Sequence, residues 1–127
     1  MAGNLSNYLE NKLLDHFLGT TSFTMPAAVY VGLYSAAPGD AGGGTEVSGG
    51  SYARQSAAFT AAASGATSNS ANIDFTGMPA VTVVAIGIHD ASTAGNLLLW
   101  GTLTTNKTTD AGDTLRIATG DLDITID

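Results

Sequence analysis

The chain contains no cysteine. It has neither a disulfide framework nor thiolate ligands for a metal, and its redox compartment is left open. Basic residues are almost as scarce: Lys12, Arg54, Lys107 and Arg116 stand against eleven acids, for a formal net charge of −7 over 127 residues. Proteins that hold nucleic acid need clustered Lys and Arg to displace counterions from phosphates, so no nucleic-acid partner is expected. Apolar runs fall far short of the roughly 20 residues that cross a bilayer. The N-terminus carries Glu10 and Asp15 inside its apolar pattern and lacks a basic leading region, unlike a secretory signal. A soluble chain with no membrane partner is expected. Catalytic motifs are missing as well: there is no Walker loop, dinucleotide fingerprint, zinc spacing or G-x-S-x-G elbow.

What is present is small. Ala, Gly, Ser and Thr make up about half of the chain, so much of its 44% hydrophobic content is alanine. Such a composition suits sheets better than packed helices, and the length suits one domain with one core. The longest apolar stretch, Val81 to Leu103, holds the only Trp and reads as two strands folded back about a loop at Asp90 to Asn96. Val83, Ile86, Ile88, Leu97, Leu99 and Trp100 are its predicted core residues.

Ahead of it, Leu5, Leu9, Leu13, Leu14, Phe17 and Leu18 recur at three- and four-residue steps, which predicts an amphipathic helix over Asn4 to Leu18. Asn4 or Ser6 can cap it, and Gly19 stands where a left-handed C-terminal cap is expected. Pro26 ends the linker that follows. Residues 1–25 are thus read as helix and linker, and 26–127 as a single β-domain. Ala27 to Tyr34 alternates, with Val29, Val31 and Leu33 on one face and Tyr30 and Tyr34 on the other. Ala36 to Ser51, rich in glycine, reads as a long loop and a candidate partner contact. Tyr52 to Phe59 and Asn72 to Phe75 are predicted strands, separated by AAASGATSNSA, which reads as too small and polar to pack. TTNKTTDAG after Leu103 reads as a turn-rich connection. Leu115 and Ile117 are odd-numbered while Leu122, Ile124 and Ile126 are even, so a bulge or tight turn is predicted near Thr119 and Gly120. The fold class is therefore mainly β: an antiparallel β-sandwich or flattened barrel of six or seven short strands with one N-terminal amphipathic α-helix.

Candidate chemistry is thin. His16 lies beside the helix stripe and reads as a surface or interface residue. His89, Asp90 and Ser92 suggest a hydrolytic triad only superficially, because triad members come from distant positions and need an oxyanion hole; a strand-end histidine is the better account. Asp110, Asp113, Asp121 and Asp123 are oxygen donors suited to calcium, but the EF-hand alternation is missing and turn aspartates commonly bond their own backbone. Asp40 and Glu46 would make a glycosidase pair if the loop held them at the right separation. No catalytic residue, cofactor or metal is assigned, and a structural or binding protein is expected rather than an enzyme.

The order NYLENKLLDHFLG, YVGLYSAAPGDAGGGTE, SYAR, IGIHDASTAGNLLLWG and DAGDTLRIATGDLDITID resembles a family of small tailed-bacteriophage virion proteins, often labelled tail fibre proteins. The resemblance spans nearly the whole chain, with one departure: the family usually carries an aromatic where His89 stands. It implies a non-enzymatic structural component of the phage particle. With no repetitive shaft in the chain, the leading expectation is a capsid decoration (cement) protein on the outer surface of the head. It would bind the major capsid protein, tie capsomers together and self-associate as a dimer or trimer. The expected partner-binding residues are Leu5, Leu9, Leu13 and Phe17 on the helix and Asp40 and Glu46 in the loop, with sheet edges adding hydrogen bonds. A tail fibre or tail-tip subunit for host attachment is the first alternative, and a small carbohydrate-active enzyme the second.

Overall fold

The computed structural model describes residues 4–126. Strand accounts for 48% of the structure and helix for 9%, and every strand pairing is antiparallel. In chain order the elements are β1 (Asn4–Leu5), α1 (Asn7–Phe17), β2 (Val29–Ala36), β3 (Thr45–Glu46), β4 (Gln55–Ala57), β5 (Ala66–Ser68), β6 (Ile73–Met78), β7 (Val81–His89), β8 (Leu97–Thr109), β9 (Asp113–Ile117) and β10 (Asp123–Thr125). A six-stranded sheet runs β1-β8-β7-β2-β3, with β4 also pairing β2, and two-stranded ribbons form from β6 with β9 and from β5 with β10. The sheets do not close into a barrel, so of the two expected architectures the sandwich is the one adopted. The strands number ten among the described residues rather than six or seven, because short pairings of two or three residues carry no period for a sequence to display.

The large sheet and the ribbons enclose the core. Val31, Leu33, Val83, Ile86 and Ile88 project from the sheet to meet Ile73, Phe75, Met78, Leu122 and Ile124. The alternation predicted for β2 is the reason: Val31 and Leu33 stand opposite Ile88 and Ile86 on β7, all on one face. Of the six core residues expected from the hairpin, Val83, Ile86 and Ile88 are buried and Leu99 packs against them. Leu97 and Trp100 instead lie on the opposite face. A register shift between Ile88 and His89 interrupts the alternation there, and Leu98 is the buried residue.

Three expected connections contain strand, because partners distant in sequence supply the pairing: the expected loop Ala36 to Ser51 holds β3, opposite Tyr34 and Ala36 of β2. Thr104 to Thr109 continue β8 rather than forming a turn, with the reversal at Asp110 to Gly112. The stretch 61–71 contains β5, which folds back through Ser64–Gly65, both at positive φ as a two-residue hairpin turn requires. The parity change after β9 is resolved as predicted: Ala118 to Asp121 form a tight turn, with Gly120 at φ +83°. Beyond it the chain leaves β6 and pairs with β5.

The helix is shorter than expected. Asn4 and Leu5 are a strand opposite Trp100 and Leu99. Ser6 is the N-cap, its hydroxyl accepting from the Leu9 amide and donating to the Leu97 carbonyl. Gly19 takes φ +81°, and the Thr20 amide reaches the Asp15 carbonyl to close the C-terminus.

Candidate functional site

The sheet face away from the core carries a network of polar side chains, and two glycines make room for it. Gly32 on β2 and Gly87 on β7 are directly opposite in the ladder. A Cβ on Gly87 would lie 2.8 Å from Leu97, 2.9 Å from the Tyr34 ring and 3.1 Å from His89 Nε2; one on Gly32 would lie 3.0 Å from Glu46 Oε2. The missing side chains are the space in which this network sits.

Arg54 is its centre. Its Nε and one Nη donate to the two oxygens of Glu46 at 2.9 and 2.8 Å, and the other Nη donates to the carbonyls of Ala91 and Ala94 at 3.0 and 2.8 Å. Four of its donors are thereby committed. Tyr52 Oη donates to Glu46 at 2.8 Å and accepts from the Leu33 amide at 2.8 Å. That amide falls between the stretches of β2 paired by β4 and by β3, so the phenol completes a ladder that no strand completes. The Tyr52 ring stacks on Phe75 at 6.0 Å, joining network to core. Beside it Tyr34 Oη and His89 Nε2 are 2.9 Å apart, with their rings near parallel.

The electrostatics follow from this packing. Burial raises the Glu46 carboxyl, but hydrogen bonds from Arg54 and Tyr52 together with the guanidinium charge outweigh it, and the net shift is downward. The Glu46 bonds raise Arg54 in turn. Burial raises the phenols of Tyr34 and Tyr52. Burial, with Arg54 nearby, lowers His89 to about 4, so it is neutral at pH 7.

Above the network lies an open cleft of about 550 Å³, walled by Asn7 and Tyr8 of α1, the turn around Asp40 to Gly43, and the loop from Ala94 to Leu97. The three walls are pinned. Asp40 accepts from Trp100 Nε1 at 2.9 Å and its carbonyl accepts from the Asn7 amide, while Asp90 accepts from both the backbone and the side chain of Asn96. With a neutral imidazole and an arginine already paired to Glu46, the cleft presents hydrogen-bonding groups and one acid without a basic partner, Asp40.

The structure disperses the other expected site residues. Asp40 and Glu46 each hold the fold together, one through Trp100 and the other through Arg54 and Tyr52. Leu5 is half-buried in β1, Leu9 is buried and Leu13 is half-buried, so of the four helix residues Phe17 alone is exposed, at 73%. The outward apolar stripe is instead Leu14, Phe17 and Leu18; Met25, in the linker that follows, is exposed as well. The helix has apolar residues on two faces; docking through Leu9 turns the second outward. His89 ends β7 as expected but is buried against Tyr34 rather than lining a triad, and Asp90 serves Asn96. Asp113 accepts from the Asp110 amide, a local turn bond. Among the described residues no group of three or more His, Cys, Asp or Glu is placed to hold a metal ion.

Arg54, Tyr52 and Asn69 carry more of the architecture than the sequence suggests. Arg54 and Tyr52 precede β4 in irregular chain, the strand expected from Tyr52 to Phe59 being confined to Gln55–Ala57 where β2 offers a partner; their only sequence signal is the Tyr30-Gly32-Tyr34 alternation, which marks a second, aromatic face on β2. Asn69, 1% exposed, lay in the stretch read as unpackable.

A family model described as Podophage GP4 fiber I protein gp80 matches residues 4–125. No curated protein matches the chain.

Proposed function

The chain belongs to the podophage GP4 fiber I protein gp80 family, and from that premise we propose that this phage virion structural protein is a non-enzymatic fibre subunit. The observation that carries the reading is the family match, which covers all but the first three and last two residues. The expectation drawn from the sequence puts a head cement protein first and the fibre second; the family description supports the reverse order. A non-enzymatic role is supported by the state of the acids: Glu46 is ionised and bound at both oxygens, and Asp40 holds Trp100. Glu46, held below the ordinary carboxylate range, is not available as the protonated acid a glycosidase needs, and Asp40 is engaged by the indole.

Attachment to neighbouring virion chains falls to the stripe of Leu14, Phe17 and Leu18, which with Met25 and Ile126 are the large apolar side chains left exposed among the described residues. Self-association as a dimer or trimer would use the same kind of contact. A cement role against the major capsid protein stays as the second reading, favoured by the absence of a shaft repeat from the chain.

Copy number in purified virions, measured by quantitative mass spectrometry, together with the position of the density in a virion reconstruction, tests the choice. A handful of copies at the tail is the expected result. Hundreds distributed over the head would replace the fibre reading with the cement one.

A further inference from the structure

The two edges of the large sheet are finished differently. On the β2 side the outer partners are β3 and β4, only two and three residues long, and short broken edges of this kind discourage strand addition. On the other side β1 covers β8 only at Leu99 and Trp100. From Thr102 to Thr108 the outer edge of β8 has no strand partner among the described residues, and except for half-buried Leu103 its residues are exposed. Its sequence, TLTTNKT, is rich in β-favouring threonine and carries a single charge.

Beside this edge the sandwich is open. Ala85 pairs with Thr102 but Val83 with Lys107, so four residues of β8 stand opposite one of β7 and the strand bows away from its partner. Across the gap β9 pairs with β6 and with no second strand among the described residues. Between β8 and β9 lies a cavity of about 310 Å³ floored by the core residues Leu33, Val83 and Ile86 and flanked by Leu103 and Leu115. Lys107 and Arg116 stand at its rim with Asp121. Arg116 is paired with Asp74 at 2.7 Å, whereas Lys107 has no ion pair among the described residues. Half of the basic residues of an acidic chain thus meet at one opening.

We propose that the mouth between β8 and β9 receives an extended strand of another protein, which adds to the free edge of β8, places an apolar side chain in the cavity and an acidic one beside Lys107. Each feature answers one property of the occupant. The unpaired ladder requires extended backbone. The apolar floor requires an inward side chain alternating with outward polar ones. At the rim Arg116 is already paired with Asp74 and Asp121 is itself acidic, so the occupant's acidic side chain answers Lys107 alone. A head or a tail position of the chain satisfies the inference equally.

The test uses the full-length, isotope-labelled protein and a synthetic ten-residue peptide alternating valine and threonine with one central glutamate. Its comparators are a scrambled peptide of the same composition and one with lysine for glutamate. The expected result is a set of amide shifts confined to residues 101–109 and 115–117, with slowed hydrogen exchange along β8 and weaker binding of both comparators. Lys107→Glu, whose spectrum otherwise matches the wild type, should weaken the glutamate peptide about two- to fivefold and favour the lysine peptide. Shifts centred on α1 or the polar cleft, equal binding of the scrambled peptide, or no shifts up to about 1 mM peptide would overturn the proposal.

Discussion

An exposed histidine titrates near neutrality, but His89 is 4% exposed, bonded to a phenol and close to Arg54, and it stays neutral down to about pH 4. The unfolded chain takes up that proton near pH 6.5. Between these values the unfolded state binds more protons, so stability falls as the pH drops, by about 3 kcal/mol over the window. Glu46 acts lower on the scale. Its folded carboxyl is held below the ordinary value, so its contribution is present above about pH 4.5 and is lost as the pH falls further. His89→Phe separates the two. It should cost about 1 kcal/mol at pH 7, because the Tyr34 hydroxyl loses its partner, while removing the decline between pH 6.5 and 4.5. Urea midpoints measured across that range read both effects. An unchanged acid slope in the variant would show that His89 is not its source.

Among the elements, α1 shows how a periodic pattern can be right about a helix and wrong about its faces. The steps of three and four residues are there, yet Asn4 and Leu5 belong to the sheet because the Ser6 cap sets the first turn after them. The residues expected to meet a partner are largely those that dock the helix on its own domain. Leu14→Glu with Phe17→Glu should therefore leave the thermal midpoint within about 2 °C of wild type, since neither side chain is buried, while reducing incorporation of the chain into particles. Deleting residues 1–18 is a poorer probe. It also removes β1, buried Ser6 and Leu9, so lost incorporation would be confounded with lost stability. Wild-type incorporation of the double variant, measured as copies per virion, would remove the attachment role from this stripe.

The whole molecule is held by contacts between segments that a linear reading treats as filler. Asn69 Oδ1 accepts from the Leu122 amide at 2.9 Å, and Nδ2 donates to the carbonyls of Ala71 and Ala118 at 2.8 and 2.9 Å. Its backbone carbonyl takes the Gly120 amide. One buried amide thus fastens the turn after β9 to the middle of the chain and leads β10 onto β5. Asn69→Ala should destabilise the protein by about 1–3 kcal/mol, through the unpaired groups it leaves inside. Limited proteolysis should then cut first in residues 118–126. Cleavage elsewhere, with unchanged stability, would remove Asn69 from this role.

Composition and period alone determined that the chain is mainly β with an N-terminal helix, a core hairpin from Val81 and a break near Gly120. These are local consequences of side-chain alternation, caps and turn residues, and each is legible within a few positions. The order of segments carried the virion family in the same way. Only the tertiary structure decided that Gly32 and Gly87 clear a face for Arg54, Tyr52, Tyr34 and His89, that Glu46 meets Arg54 and Tyr52 while Asp40 meets Trp100, and that β8 continues through its threonines to an open edge. Those outcomes depend on pairs such as Arg54 with Ala94, Asn69 with Leu122 and Tyr34 with His89, which lie 40 or more residues apart. No local pattern records which distant backbone or side chain will stand opposite once the strands are in register, because the register itself is set by the assembled core.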